Sequence, residues 1–309
     1  MDKKRRHHYV WQYYLSAWGA DEKVWCLRGR KTFETSTLNI GQERDFYRVE
    51  ELSSEDIEHI RVLAVQQSAG LLKKLNEGWI DTFQAIFKVR DALIDRGVPE
   101  DALKEVIDIA MNNMEEDFHS MIEQESIPYM EKLREGDVSF FGDDEHRMAF
   151  CHYLCMQYFR TKRIKVNVLK NLSELPQLAS VNLDACWTIM RHVFATNMAF
   201  SVIADRSKFS PVILRPPSGI RFIAGDQPVI NTHATLGTNN EIPNKTEFFY
   251  PVSPNAALLM SESESSDVEH NKGLSEDEVA AYNRAIFENS HEQIYAATED
   301  DLAPFQLSA

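Results

Sequence analysis

The hydrophobic period changes twice along this chain, and that change is the strongest constraint on its fold. From about residue 53 to about residue 205, apolar side chains recur at three- and four-residue steps, the spacing of helices that bury one face. On either side they come in short runs bounded by Gly, Pro, Asn or Ser, the pattern of strands. Helices gathered in the middle and strands at both ends argue an α+β fold: a mostly antiparallel sheet built from both chain ends, with a large helical lobe inserted in the middle. The expected parts are an N-terminal β/aromatic segment over 1–50 that completes the sheet, a helical lobe over 51–206, and a C-terminal sheet with a final helix over 207–309. Together they read as one integrated domain.

Within this frame, Val24–Arg28 and Asp45–Val49 read as strands. Ser53 followed by Glu55 and Asp56 places a cap and first-turn acids where a helix begins. Ile57, Ile60, Ala64, Leu71 and Leu75 then continue at helical spacing. A second helix carries Trp79, Phe83 and Phe87 and stops at Gly97 and Pro99. A third carries Leu103 to Ile122 and is expected to end near Pro128. A fourth runs from Glu145 to about Leu169 and a fifth from about Leu183 to Asp205. After Ser207 come the strands Val212–Arg215, Arg221–Ala224, Glu247–Tyr250 and Ala256–Met260, all expected in one sheet with the Trp25 strand. Ser261–Lys272 reads as an acidic loop. Ser275 to Glu278 opens the last helix with a capping-box pattern, and Ile294–Ala296 closes the sheet.

Composition narrows the function classes. With 33 Lys and Arg against 48 Asp and Glu, the net charge is −15, which opposes non-specific binding to nucleic acid or anionic membrane. A nucleic-acid or nucleotide partner therefore needs a local basic site. No apolar run approaches the roughly 20 residues of a membrane span, and the basic start Lys3–Arg6 has no apolar stretch behind it, so no secretory leader is expected. The four cysteines lack disulfide-framework spacing, which reads as reduced thiols in a cytoplasmic protein. The sequence carries no phosphate-binding glycine loop, no His-Glu-x-x-His, no Cys-x-x-Cys pair and no nucleophile elbow. An active site would have to be assembled from distant residues.

Five local groups offer chemistry. His7 and His8, beside Tyr9, supply a base or metal ligand, or else belong to a solvated basic arm. Gln157 and Arg160 share a helix face at the start of the basic run Arg160–Lys165, suited to a phosphate or carboxylate, or to neutralising an acidic helix. Glu115, His119 and Glu123 stand at i, i+4 and i+8, a line that could bind a divalent cation, although a solvated acidic face is the plainer reading. Cys151, His152 and Cys155 could ligate zinc, but the two thiols continue an apolar stripe and read as buried core. Asp226 stands at a strand end between Gly225 and Pro228, a place for a ligand-binding carboxylate or for an Asx-turn.

Several motifs together resemble a large bacterial family known only as a domain of unknown function. His7-His8-Tyr9-Val10-Trp11-Gln12-Tyr13-Tyr14-Leu15 looks like its N-terminal His-(His)-Tyr-Val-Pro-Gln-x-Tyr-Leu. Glu43 to Tyr47 is similar to its Glu-x-x-Phe-Tyr, Ile122-Glu123 to its Ile-Glu, and Gln157 to Thr161 to its Gln-x-x-Arg-Thr-Pro. Phe222 to Val229 resembles its Phe-x-Thr-Ser-Asp-x-Pro-Val, Tyr250 to Pro254 its Pro-Leu-Ser-Pro, and Asn283 its C-terminal asparagine. The chain departs from the pattern with Trp11 and Lys162 for Pro and Gly225 for Ser. The resemblance locates a site without naming its chemistry. Its polar residues favour an enzyme acting on phosphoesters, nuclease-like, with His7, His8, Gln157 and Arg160 as catalytic groups. Glu43, Glu123 and Asp226 would hold a divalent Mg or Mn ion. The competing reading is a non-enzymatic binding or accessory protein in which the same groups form a structural polar network and a partner protein is bound.

Overall fold

The fold is described from a computed structural model, which covers residues 2–19, 21–204, 209–234, 245–262 and 270–306. The N-terminal part contributes β1 (Arg6–His8), a single helical turn α1 (Gln12–Leu15), β2 (Lys23–Arg28), β3 (Lys31–Ser36) and β4 (Gln42–Arg44). The helical lobe follows as α2 (Ser54–Ile60), α3 (Gly70–Asp95), α4 (Glu100–Glu135), α5 (Asp144–Phe159), α6 (Lys162–Ser173) and α7 (Leu183–Ala204). Then come β5 (Phe209–Arg215), β6 (Ala224–Gly225), β7 (Ile230–Asn231), β8 (Glu247–Ser253), β9 (Ala256–Glu262), β10 (Asn271–Gly273), α8 (Glu276–Asn289) and β11 (Gln293–Ala296). The α+β class holds, with strands from both chain ends and helices between them.

The strands do not form the single sheet that the sequence suggests. They divide into a five-stranded sheet ordered β10-β5-β9-β8-β7, a four-stranded sheet ordered β3-β2-β11-β6, and the separate ribbon β1-β4. The two chain ends do meet, because β2 and β11 pair antiparallel with Trp25 opposite Ala296. Strand β8 is buried on both faces. Phe248 and Tyr250 enter the main core with the helices, while Phe249 enters a second core with Phe222, Ile294 and the α8 residues Val279 and Ile286. A strand covered on both sides reads as an unbroken apolar run, which is what Glu247–Val252 nearly is.

Local chemistry explains where the boundaries differ from expectation. Ser53 and Asp56 form the capping box of α2, with the Ser53 hydroxyl accepting the Asp56 amide and the Asp56 carboxylate accepting the Ser53 amide. The continuous helix read over 57–75 is interrupted by a wide π-type turn at 61–65 and a new start at Gly70, whose φ of +57° suits only glycine well. The third helix runs through Pro128 to Glu135, because the buried stripe of Ile122, Ser126, Met130 and Leu133 holds it on both sides of the missing amide. The fourth breaks at Arg160-Thr161. Asp45–Val49 is a turn rather than a strand: Asp45 adopts φ +55° and its carbonyl accepts the Arg48 amide at 3.0 Å. Of Arg221–Ala224 only Ala224 joins a sheet, through β6. Before it, the Asn283 side chain on α8 stands in for a strand, accepting the Ile223 amide at 3.0 Å and donating to the Arg221 carbonyl at 2.8 Å. Asp205, Ser207 and positions 263–269 of the acidic loop lie outside the described residues.

Candidate functional site: a buried Glu, His and Arg centre

Helix α4 presents Asn112, Glu115, His119, Ile122, Ser126, Met130 and Leu133 at three- and four-residue steps on its buried face. The first half of that stripe is polar. Glu115 and His119 are 0% and 1% exposed, so they are not the solvated acidic face that their spacing alone suggests. A carboxylate in such a place needs partners. It finds them on α7, the helix buried along most of its length: Arg191 donates to Glu115 Oε2, and His192 Nε2 lies 3.1 Å from Oε1. His119 Nε2 sits 3.3 Å from the same Oε1. Burial is the largest single influence on Glu115 and opposes its charge, but Arg191 and the two imidazoles together outweigh it and hold the carboxyl well below its usual range. Burial pushes both His119 and His192 down, which keeps them neutral.

The ligand atoms of Glu115, His119 and His192 lie within 4.8 Å of one another, and this cluster could hold a metal ion. The separations of 3.1 and 3.3 Å between the carboxylate oxygen and each imidazole nitrogen are close to the edge of about 3.4 Å of a tetrahedron with ligand bonds of about 2.1 Å. Two neutral imidazoles and a carboxylate are also a suitable donor set for a divalent transition ion. The Arg191 contact on the far oxygen would orient the carboxylate from behind. His192 is the member that sequence reading missed. It lies 77 positions from Glu115, inside the apolar pattern of α7, and nothing local marks it.

A second buried arginine stands beside this cluster. Arg160 caps the end of α5 at 1% exposure. Its guanidinium donates to Glu123, to the His8 carbonyl and, at 2.9 Å, to the Tyr47 hydroxyl. That hydroxyl in turn donates to the Arg160 carbonyl. Burial pushes Glu123 up despite Arg160, and Gln157 bonds the same carboxylate. Glu116, near Arg160, Glu123 and His8, is pushed by burial up to about 7. The Tyr47 ring lies between the two arginines, 5.6 Å from the Arg160 guanidinium and 4.6 Å from that of Arg191, with the His119 ring at 4.7 Å. His7 stacks on Tyr47 at 5.6 Å. Its Nδ1 accepts the Tyr47 amide at 2.7 Å and its Nε2 faces the Lys4 carbonyl at 3.0 Å, so both ring nitrogens are engaged.

The structure therefore brings together His7, the His8 backbone, Glu123, Gln157 and Arg160, and adds Tyr47, Glu115, His119, Arg191 and His192. The His8 ring turns to Gln12, with Nε2 at 2.8 Å from its amide nitrogen. The carboxylates of Glu43 and Asp226 have other partners, although Glu43 stands directly opposite His7 in the β1-β4 pairing. Glu43 is half-exposed on β4 and pairs with Lys162 at 2.9 Å. Asp226 accepts the backbone amides of His291, Glu292 and Gln293 at 2.6, 2.8 and 3.0 Å, and burial outweighs these three bonds to push it up to about 6. The three carboxylates Glu43, Glu123 and Asp226 thus have different partners: a lysine, an arginine and a turn of backbone amides. Asp226 is tied to the arginine elbow indirectly, since Thr161 donates to the side chain of the adjacent Gln227.

The departures from the family pattern have local reasons. Lys162 occupies the first position of α6, where proline is at home, and there bridges Glu43 and Glu292. Trp11 keeps a proline-like φ of −63° and packs its ring on Tyr13 and Tyr153. At Gly225 a Cβ would lie 2.2 Å from the Ser290 hydroxyl, so a larger residue would force that hydroxyl off the Ile286 carbonyl to which it donates. All four cysteines are free and buried, and no described helix is long and apolar enough to cross a membrane.

The fold and site define an α+β protein with a buried Glu, His and Arg centre able to take a metal ion. Compared with known families, the chain matches over residues 6–300 the model described as "Protein of unknown function (DUF4238)", and it belongs to that family. No curated protein and no solved structure matches it.

Proposed function

We propose that this protein is a divalent-metal-dependent hydrolase of phosphoesters, nuclease-like, whose ion is held by Glu115, His119 and His192. The observation that carries the reading is the convergence of those three side chains from two helices onto one point. Three protein ligands leave a fourth position, where a bound ion would take a water and lower its pKa. Of the two ions the sequence reading named, the imidazole pair favours Mn over Mg. Glu115 and Arg191 set the charge of the centre, and Arg160 with Tyr47 fixes the wall beside it. We infer a cytoplasmic location, a reading that the free buried thiols support.

A second reading, a non-enzymatic accessory protein that binds a partner protein, is favoured by one observation. The Arg160, Glu123 and Asp226 groups are engaged by the protein itself. Metal analysis and calorimetry separate the two. The hydrolase reading expects about one transition ion per chain and a Tm raised by Mn²⁺; a ligand at a hundred times its Kd stabilises by about 2.7 kcal/mol. It also expects hydrolysis of bis(p-nitrophenyl) phosphate that is lost in His192→Gln. A protein without ion, indifferent to Mn²⁺ and to chelator, and inactive on the diester supports the accessory reading instead.

A further inference from the structure

The ribbon β1-β4 shows two faces of opposite character. Its inward residue, His7, rests on Tyr47 and through it on His119. Its outward side carries arginines. Arg6 and Arg44 are directly opposite each other in the antiparallel pairing, and both are exposed. Like charges facing each other across two strands repel, and nothing in the fold demands arginine at either place. Together with Arg5, Gln42 and Glu43 they line a surface cleft of about 420 Å³.

The neighbouring charges are mostly spent elsewhere. Lys3 and Lys4 are paired with Asp108 and Asp117 on α4, which leads the chain into the ribbon. Glu43, the one acid lining the cleft, is paired with Lys162. Arg44 has a loose contact of 3.5 Å with Asp45. Among the described residues, neither Arg5 nor Arg6 makes an ion pair. In a chain of net charge −15, three guanidiniums gathered on one cleft form a local exception to the surrounding negative field.

From this juxtaposition we infer that the Arg5, Arg6 and Arg44 cleft binds the phosphate backbone of a nucleic-acid strand. Guanidinium forks match phosphate oxygens in pairs, which is why arginine rather than lysine suits such a surface. A cleft walled by the side chains of this paired ribbon accepts a narrow chain of phosphates and not a flat bilayer. No aromatic side chain lines it, so bases are not stacked there and sequence is not read. The inference deepens the phosphoester reading by naming the polymer and where it lies, on the outer side of the ribbon that covers Tyr47 and His119. It rests on that reading only for the choice of substrate, because the binding itself needs no metal.

The test is fluorescence anisotropy with a labelled 20-nucleotide oligothymidylate, without added metal, from 50 to 200 mM salt. Three phosphate contacts on a single strand give a salt slope of about −2, or a loss in affinity of about twenty-fold over that range. The double variant Arg6→Ala, Arg44→Ala should flatten the slope to about −0.7 and bind about tenfold more weakly at the low-salt end. Lys104→Ala, on the exposed side of α4, should bind as wild type. Circular dichroism and Tm of the double variant should match or exceed wild type, since a repulsion is removed. An oligonucleotide of mixed sequence should bind equally well. The inference is overturned if wild type does not bind the oligonucleotide, or if the double variant, folded, binds it unchanged. It is overturned as well if anionic phosphatidylserine vesicles or poly-glutamate of equal charge compete as strongly as nucleic acid. Failure of the hydrolase reading shows differently, as oligonucleotide binding intact in a protein that takes up no metal and cleaves no diester.

Discussion

Arg160 and Glu123 are both buried, and each is the other's countercharge, so replacing one should cost more than replacing both. In Glu123→Leu the guanidinium keeps the Tyr47 hydroxyl and the His8 carbonyl but loses its anion. An unpaired buried charge costs about 3–5 kcal/mol. In Arg160→Met the carboxyl can escape by taking a proton, since burial already pushes it up. The His8 carbonyl is then orphaned at about 1–3 kcal/mol, and the expected loss is about 3 kcal/mol. The double variant has no uncompensated charge and retains only the orphaned carbonyl, since the Tyr47 hydroxyl still donates to the backbone carbonyl at 160, so it should lose about 1–3 kcal/mol. Urea unfolding followed by circular dichroism on all four proteins yields the coupling energy, expected at about 3 kcal/mol or more. A double variant whose loss equals the sum of the single losses would refute the reasoning. So would two single variants that each lose less than about 1 kcal/mol.

Three further outcomes follow from the same geometry. Gly225→Ala drives a Cβ against the Ser290 hydroxyl at 2.2 Å and should cost about 1–3 kcal/mol; adding Ser290→Gly should restore most of it, and no restoration would point to backbone strain instead. Asp226→Asn exchanges a charged acceptor of three amides for one with a single oxygen, and should cost about 1.5–3 kcal/mol in chemical unfolding; an unchanged midpoint would show that the turn at 291–293 holds without it. Burial pushes His152 down to about 4 from its ordinary 6.5, so the unfolded chain takes the proton first. Its stabilising contribution is full above pH 6.5 and is lost as pH falls toward 4, at most about 3 kcal/mol. His152→Leu should flatten the Tm-against-pH curve in that window, and a curve parallel to wild type would show that other groups dominate.

The class of fold was legible in the sequence because period and capping are local signals. Ser53 with Asp56, and Ser275 with Glu278, announced their helices, and both capping boxes are present. What resisted reading was long-range. The short strands β1, β4 and β6 have two or three residues and take their existence from partners far away, so no local pattern announces them. Turns were hidden by ordinary residues in unusual backbone states, as at Asp45. For the site, the line Glu115 and His119 was visible, but its spacing is the same on a wet face as on a buried one. Only the arrival of α7 with Arg191 and His192 distinguishes them. Arg160 was recognisable as a polar anchor, while its bonds to Glu123, Tyr47 and the His8 carbonyl depend on chain segments 37 to 152 positions away.

Asn283 has a consequence for how the protein behaves when it comes apart. The extended run Arg221–Ile223 lies at the open side of the four-stranded sheet, where unpaired peptide groups invite another chain to add itself. The carboxamide of Asn283 occupies two of those groups, acting as a side-chain plug on a sticky edge. Detachment of α8 would uncover that edge together with Phe222 and Ile223, both fully buried. The first partly open form produced on heating would therefore be the one most prone to self-association, and the plug protects the protein's solubility as much as its fold.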